Sequence, residues 1–156
     1  MATPVRLLTL CIVHQPPRVL LGMKKYGLGQ GRWNGFGGKV ERGESIEQAM
    51  VRETQEEAGI TVYGATKRGI AQFSDATVQE ILEVHIFHAD QFTGTIAESA
   101  EMWPQWFDIM KIPIYAMWPA DGLWLPFFLE DKKFRASFLC SFGEVLEHHI
   151  TEVEVL

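Results

Sequence analysis

Three glutamates carry the strongest chemical signal in this chain. Glu53, Glu56 and Glu57 stand at i, i+3 and i+4 within VRETQEEAGI, so on a helix of 3.6 residues per turn their carboxylates share one patch of surface. They would fall in the last turns, where the macrodipole disfavours anions. Each like-charge pair costs roughly 0.2–0.5 kcal/mol on an exposed helix, and Arg52 offsets only part of this. A solvated acidic face is the plainer reading of a charge run. Projection at about 100° per residue argues otherwise, because Ile46, Ala49, Met50, Glu53 and Glu57 fall in one sector and two carboxylates continue the inward apolar stripe. Inward carboxylates need a cation. Clustered hard oxygens suit Mg²⁺, with Mn²⁺ as a substitute, and Mg²⁺ shares its other positions with water and substrate phosphate.

The surrounding sequence supplies elements that position those groups. Ser45 followed by Gln48 is a capping-box start, and Gly59 is the stop. Ahead of the helix, Gly35, Gly37, Gly38 and Gly43 make a loop able to approach a ligand or metal closely. Before that, Lys24, Lys25 and Arg32 sit among three glycines; the segment reads as a solvated loop or as one facing phosphate. Asn34 is placed to hydrogen-bond a base edge. Further on, Asp121 is expected to cap a helix running through Trp124, Phe127, Phe128 and Leu129, with Pro126 tolerated in its first turns. Trp118, Trp124 and Asp121 read either as core residues or as a stacking platform with a base-reading acid.

Alternation and turn signals predict strands over residues 6–13, 18–22, 61–73, 78–92, 134–142 and 144–155. The order is two strands, a helix, a strand-rich middle, a helix and two strands, which is a mixed α/β chain. His85 and His88 belong to a strand and are read as sheet residues rather than ligands.

At 156 residues with 47% hydrophobic content, the chain suits one domain with a substantial core and excludes disorder. A formal net charge of −6 argues against a nucleic-acid-binding surface. An anionic substrate then requires a metal or local cations. Cys11 and Cys140 lie in apolar runs without metal-ligand spacing, so buried thiols in a reducing compartment are expected. The apolar run near the N-terminus is too short to span a membrane. A soluble, monomeric, cytoplasmic protein is expected, with nuclear or mitochondrial pools also open to it.

The stretch at residues 38–60, GKVERGESIEQAMVRETQEEAGI, resembles the Nudix box through Gly38, Glu44, Arg52, Glu53, Glu56, Glu57, Gly59 and Ile60. Thr54 departs, standing where an aliphatic residue is usual. RVLLGMKK, GRWNGFGGKV and MWP with its trailing aspartate extend the resemblance to the oxidised purine nucleoside triphosphatase branch of that family, over the whole of residues 1–156. The resemblance implies a single domain, a Nudix-type α/β/α sandwich with a mixed central sheet. It also implies Mg²⁺-dependent hydrolysis of oxidised purine nucleoside triphosphates to the monophosphate and pyrophosphate, which prevents mutation by clearing the nucleotide pool.

Carried over by position, the resemblance assigns Gly37, Glu53, Glu56, Glu57 and Glu101 to the metal, and catalysis to Arg52 with Glu53, Glu56 and Glu57. Lys24 would meet the phosphates, while Thr9, Asn34, Phe36, Gly37, Gly38, Lys39, Trp118, Pro119, Ala120, Asp121 and Trp124 would line or adjoin the nucleoside pocket. Ala120, Leu28 and Leu82 depart from the branch, which usually has aspartate, phenylalanine and methionine there. Two neighbouring acids can share a proton, and here only Asp121 remains, so tolerance across modified purines should narrow. Methylated or other modified purine nucleotides remain open as substrates, as does a nucleotide-binding module without catalysis. Intact Arg52, Glu53, Glu56 and Glu57 favour chemistry.

Overall fold

The structure, a computed structural model, describes residues 2–156. Its strands are β1 (Val5–Gln15), β2 (Arg18–Lys24), β3 (Trp33–Asn34), β4 (Ile60–Tyr63), β5 (Thr66–Asp75), β6 (Val78–Ala89), β7 (Gln91–Gly94), β8 (Met102–Asp108), β9 (Lys133–Ser141) and β10 (Glu144–Val153). The helices are α1 (Ile46–Ala58) and α2 (Asp121–Leu129), with short 3₁₀ turns at Ile109–Lys111 and Ile114–Ala116. The main sheet has the order β10-β9-β5-β6-β1-β2-β3, with β8 also pairing β2, and β4 and β7 form a separate ribbon. Parallel β1–β6 and β5–β9 pairs sit among antiparallel ones. The sheet is therefore mixed.

Alternation along the central strands sorts side chains onto two faces. Cys11, Val13, Leu20, Phe87 and Ala89 pack with Met50 and Ala58 of α1. Ile12, Val19, Leu21 and Ile86 pack with Trp124, Leu125 and Phe128 of α2. One helix on each face gives the α/β/α sandwich. Trp124, Phe128 and Phe134 are fully buried, and such side chains contribute about 1.5–3 kcal/mol each. Close packing also explains Gly69, where an added Cβ would lie 2.3 Å from the Phe134 ring.

Three expectations about the elements change. The strand expected over residues 61–73 is two, because the chain turns through Gly64, at a φ of 65°, between β4 and β5 in different sheets. The strand expected over 78–92 likewise divides between β6 and β7. Asp121 is the first residue of α2, not its cap. Ala120 stands at the cap position in helical conformation with no side-chain cap bond. Thr54 is wholly buried, and its hydroxyl donates to the Met50 carbonyl at 2.8 Å, so its polar half is satisfied within α1. Cys11 is buried and its thiol is pushed up to about 12 by burial, whereas Cys140 is only partly covered.

Candidate active site

The capping box forms as the sequence dictates, with Gln48 N–H donating to Ser45 Oγ and Ser45 N–H to Gln48 Oε1, and Gly59 ends α1 at a φ of 76°. The helix so fixed presents Glu53 and Glu57 toward the sheet. Carboxylate oxygens of Glu53, Glu57 and Glu101 lie within 4.8 Å of one another. Glu101 immediately precedes β8, which pairs antiparallel with β2, and Lys24 Nζ donates to it at 2.6 Å.

Glu57 is buried, and Gly37 N–H donates to its Oε1 at 2.9 Å. Burial, followed by the neighbouring Glu101 and Glu53, pushes the Glu57 carboxyl far above the usual range. Burial also raises Glu53. Glu101 is held low, first by its hydrogen bond with Glu57 and then by Lys24. Three crowded hard-oxygen ligands under mutual repulsion fit a divalent cation, whose charge reverses the penalty. Glu56 stands apart from this trio, largely exposed, with Arg52 Nη1 at 3.3 Å. Arg52 also binds Glu44 through two nitrogens, Glu53 at 2.9 Å and the Lys39 carbonyl at 3.1 Å. It locks loop and helix together.

The loop threads close to β1. Thr9 N–H donates to the Gly38 carbonyl at 2.8 Å, and an added Cβ on Gly37 would fall 1.8 Å from the Thr9 carbonyl oxygen. Only glycine fits there. On Gly38 an added Cβ would lie 2.6 Å from Glu53 Oε1, so that carboxylate also rests on bare backbone. The Thr9 hydroxyl is buried without a hydrogen-bond partner among the described residues.

A cavity of about 630 Å³ opens from this site. Lys24, Gly37, Gly38 and Glu57 border one end, and Asn34, Trp118, Ala120, Asp121 and Trp124 the other. Phe73, Leu82 and Val84 supply apolar walls. Asp121 is buried; its Oδ2 accepts the Trp118 N–H and its Oδ1 accepts Trp124 Nε1, both at 3.1 Å. Burial pushes its carboxyl up to about 7. Such a group both donates and accepts near neutral pH.

Trp124 does not serve as an open stacking face. Its ring is 1% exposed and stacks on Phe134 at 6.0 Å, so it orients Asp121 from within the core. Trp118 keeps a partly open ring. Phe36 is fully buried in the α1-side core, and Lys39 and Pro119 are exposed. These three adjoin the site without bordering the cavity. His85 bonds Glu83 and His88 bonds His14, in keeping with sheet roles.

A mixed sheet between two helices, with clustered carboxylates on the helix that follows a glycine loop, defines a hydrolase of the Nudix type. The NUDIX domain family matches residues 5–128, and the chain belongs to that family. It is 53% identical over 152 residues to the oxidized purine nucleoside triphosphate hydrolase of Danio rerio, covering 97% of each chain. The Mus musculus protein of the same name is 48% identical over 150 residues, covering 96% of each. Among solved structures, a MutT mutator protein from Bacillus halodurans superposes with a TM-score of 0.83 at 27% identity, covering 93% of this chain and 97% of that one.

Proposed function

We propose that this protein hydrolyses oxidised purine nucleoside triphosphates, of the 8-oxo-dGTP and 2-hydroxy-dATP type, to the monophosphate and pyrophosphate. It thereby keeps damaged bases out of newly made DNA. The observation that carries this reading is the continuity of one cavity from Trp118 and Asp121 to Lys24 and Glu57. A planar base and its phosphates are thus accommodated together, and the named relatives from zebrafish and mouse support the substrate class.

Glu53, Glu57 and Glu101, with the Gly37 backbone beside them, are the groups to hold Mg²⁺. A bound divalent ion supplies charge neutralisation of the triphosphate and an acidified water. Lys24, already paired with Glu101, faces the phosphates and keeps that carboxylate ionised. Arg52 holds Glu44 and Glu53 in place, and Glu56, now bonded to Arg52, would be the further carboxylate available to a bound metal. Asp121 reads the base edge, fixed by Trp124 from behind and the Trp118 amide from the side. The protein acts as a cytoplasmic monomer; its free cysteines support a reducing compartment.

The test is Mg²⁺-dependent pyrophosphate release from a panel of normal, oxidised and methylated purine nucleoside triphosphates, with Glu57→Gln as control. Selective turnover of oxidised purines that vanishes in the control supports the assignment. Nucleotide binding without turnover, or preference for an undamaged nucleotide, overturns it.

A further inference from the structure

Lys24, Lys25 and Arg32 share one glycine-broken segment, yet the structure sends them to different places. Lys24 binds Glu101, and Lys25 binds Glu98 and the Ser99 carbonyl. Arg32 reaches across to the loop before α2. Its Nη1 donates to the Met117 carbonyl at 2.8 Å, and its guanidinium carbon lies 4.5 Å from the centroid of the Trp118 ring. The Arg32 backbone is itself fixed, its N–H donating to Gly29 and its carbonyl accepting from Lys24, both at 3.0 Å.

Trp118 borders the cavity and Arg32 does not, so the guanidinium covers the side of the ring turned away from it. Two glycines close on the ring's edge. An added Cβ on Gly29 or on Gly143 would lie 3.2 Å from a Trp118 ring carbon. The indole is therefore backed by a cation and gripped at its rim, and the backbone N–H of Trp118 donates to Asp121 Oδ2.

We propose that Arg32 is a positioning residue for base selection: by bonding the Met117 carbonyl and backing Trp118, it holds the indole as a fixed wall for a planar base. This rests on the reading that the cavity takes a nucleotide base. A ring already immobilised loses less conformational freedom when a base stacks on it, which favours affinity for the base over the rate of phosphate chemistry. The planar guanidinium stacks and hydrogen-bonds at once, which a lysine ammonium does not reproduce.

The experiment compares the wild type with Arg32→Met and Arg32→Lys, accepting variants whose far-UV circular dichroism matches the parent. Arg32→Met is expected to raise KM for 8-oxo-dGTP about tenfold while kcat stays within about twofold, on the scale of one lost cation–π contact. Calorimetric binding of 8-oxo-dGMP should weaken by the same factor, and binding of inorganic pyrophosphate with Mg²⁺ should not change. Arg32→Lys should restore part of the base affinity. Equal losses for 8-oxo-dGMP and pyrophosphate would place Arg32 with the phosphates and overturn the proposal.

A readout independent of any substrate is the near-ultraviolet dichroism band that disappears in Trp118→Phe. It should shrink in Arg32→Met, because the ring loses its backing. An unchanged band overturns the proposal even if turnover falls. A wild type that binds no purine nucleotide, with the band still dependent on Arg32, would instead overturn the substrate reading and leave the positioning contact standing.

Discussion

Gly37 N–H donates to Glu57 Oε1 at 2.9 Å across 20 residues of sequence, fastening the glycine loop to the helix that carries the acids. Glu57→Gln keeps an oxygen for that bond and removes the charge. Metal-free protein should then melt no lower than the parent, since one crowded carboxylate is gone. Mg²⁺-dependent turnover should fall about 10²–10⁴-fold, and the rise in Tm on adding Mg²⁺ should disappear. A variant that keeps both turnover and the Mg²⁺ effect would remove Glu57 from the site.

Gly37→Ala is a harsher change at the other end of the same bond. Its Cβ would meet the Thr9 carbonyl at 1.8 Å, which forces loop and strand apart. The expected result is a loss of turnover with a lower Tm, because overpacking of a closed site costs about 1–3 kcal/mol. Wild-type melting and activity together would mean that the loop does not pass β1 so closely.

Asp121 makes recognition depend on pH. Its carboxyl is raised to about 7, chiefly by burial, so the ionised acceptor form grows as pH rises through that value. The guanine-type edge of 8-oxo-dGTP offers N–H donors, so kcat/KM for it should climb from pH 6 to pH 8, and Asp121→Asn should lack that climb. Stability runs the opposite way. A raised folded pKa favours the fold below the unfolded value of about 3.9 and loses that contribution as pH rises through about 7. The Tm of Asp121→Asn relative to the parent should therefore improve between pH 5 and pH 8; parallel curves would remove Asp121 as the titrating group.

Ala120 is buried beside Asp121, where a second acid would share its proton. With a single carboxyl the site cannot present a protonated and an ionised acid side by side. The wild type should favour one of 8-oxo-dGTP and 2-hydroxy-dATP by several-fold, and Ala120→Asp should narrow the gap. Equal high rates on both substrates in the wild type would refute this.

Away from the site, His14 Nδ1 and His88 Nε2 stand 3.0 Å apart against Phe128. Burial and then Arg68 hold both low, His88 down to about 4. The pair stabilises the fold above the unfolded value of about 6.5 and loses that contribution as pH falls toward about 4. Thermal melts of His88→Gln should decline less steeply across this window than those of the parent. Superimposable slopes would clear the histidines of a role in acid stability.

Local signals were legible where chemistry and geometry are both local. The capping box, the Gly59 stop and the inward turn of Glu53 and Glu57 all follow from spacing along one helix. Breaks at Gly64 and near Asp90 were hidden because apolar alternation continues across them while the chain changes sheet. The different fates of Trp118 and Trp124 depend on Phe134 and Arg32, which are distant in sequence. Arg32 reads from its neighbours as a solvated or phosphate-facing cation, and only the fold places it behind a ring. No local pattern identifies Glu101 either; the antiparallel pairing of β2 with β8, distant in sequence, carries it to Lys24.

The two cores back to back across one sheet have an evolutionary consequence. Ala120 belongs to the α2-side cluster and Leu82 to the cavity wall, whereas the box helix is seated in the α1-side cluster. A lineage can therefore retune which damaged base it intercepts by substitutions on one side of the partition, while the hydrolytic apparatus on the other is inherited intact.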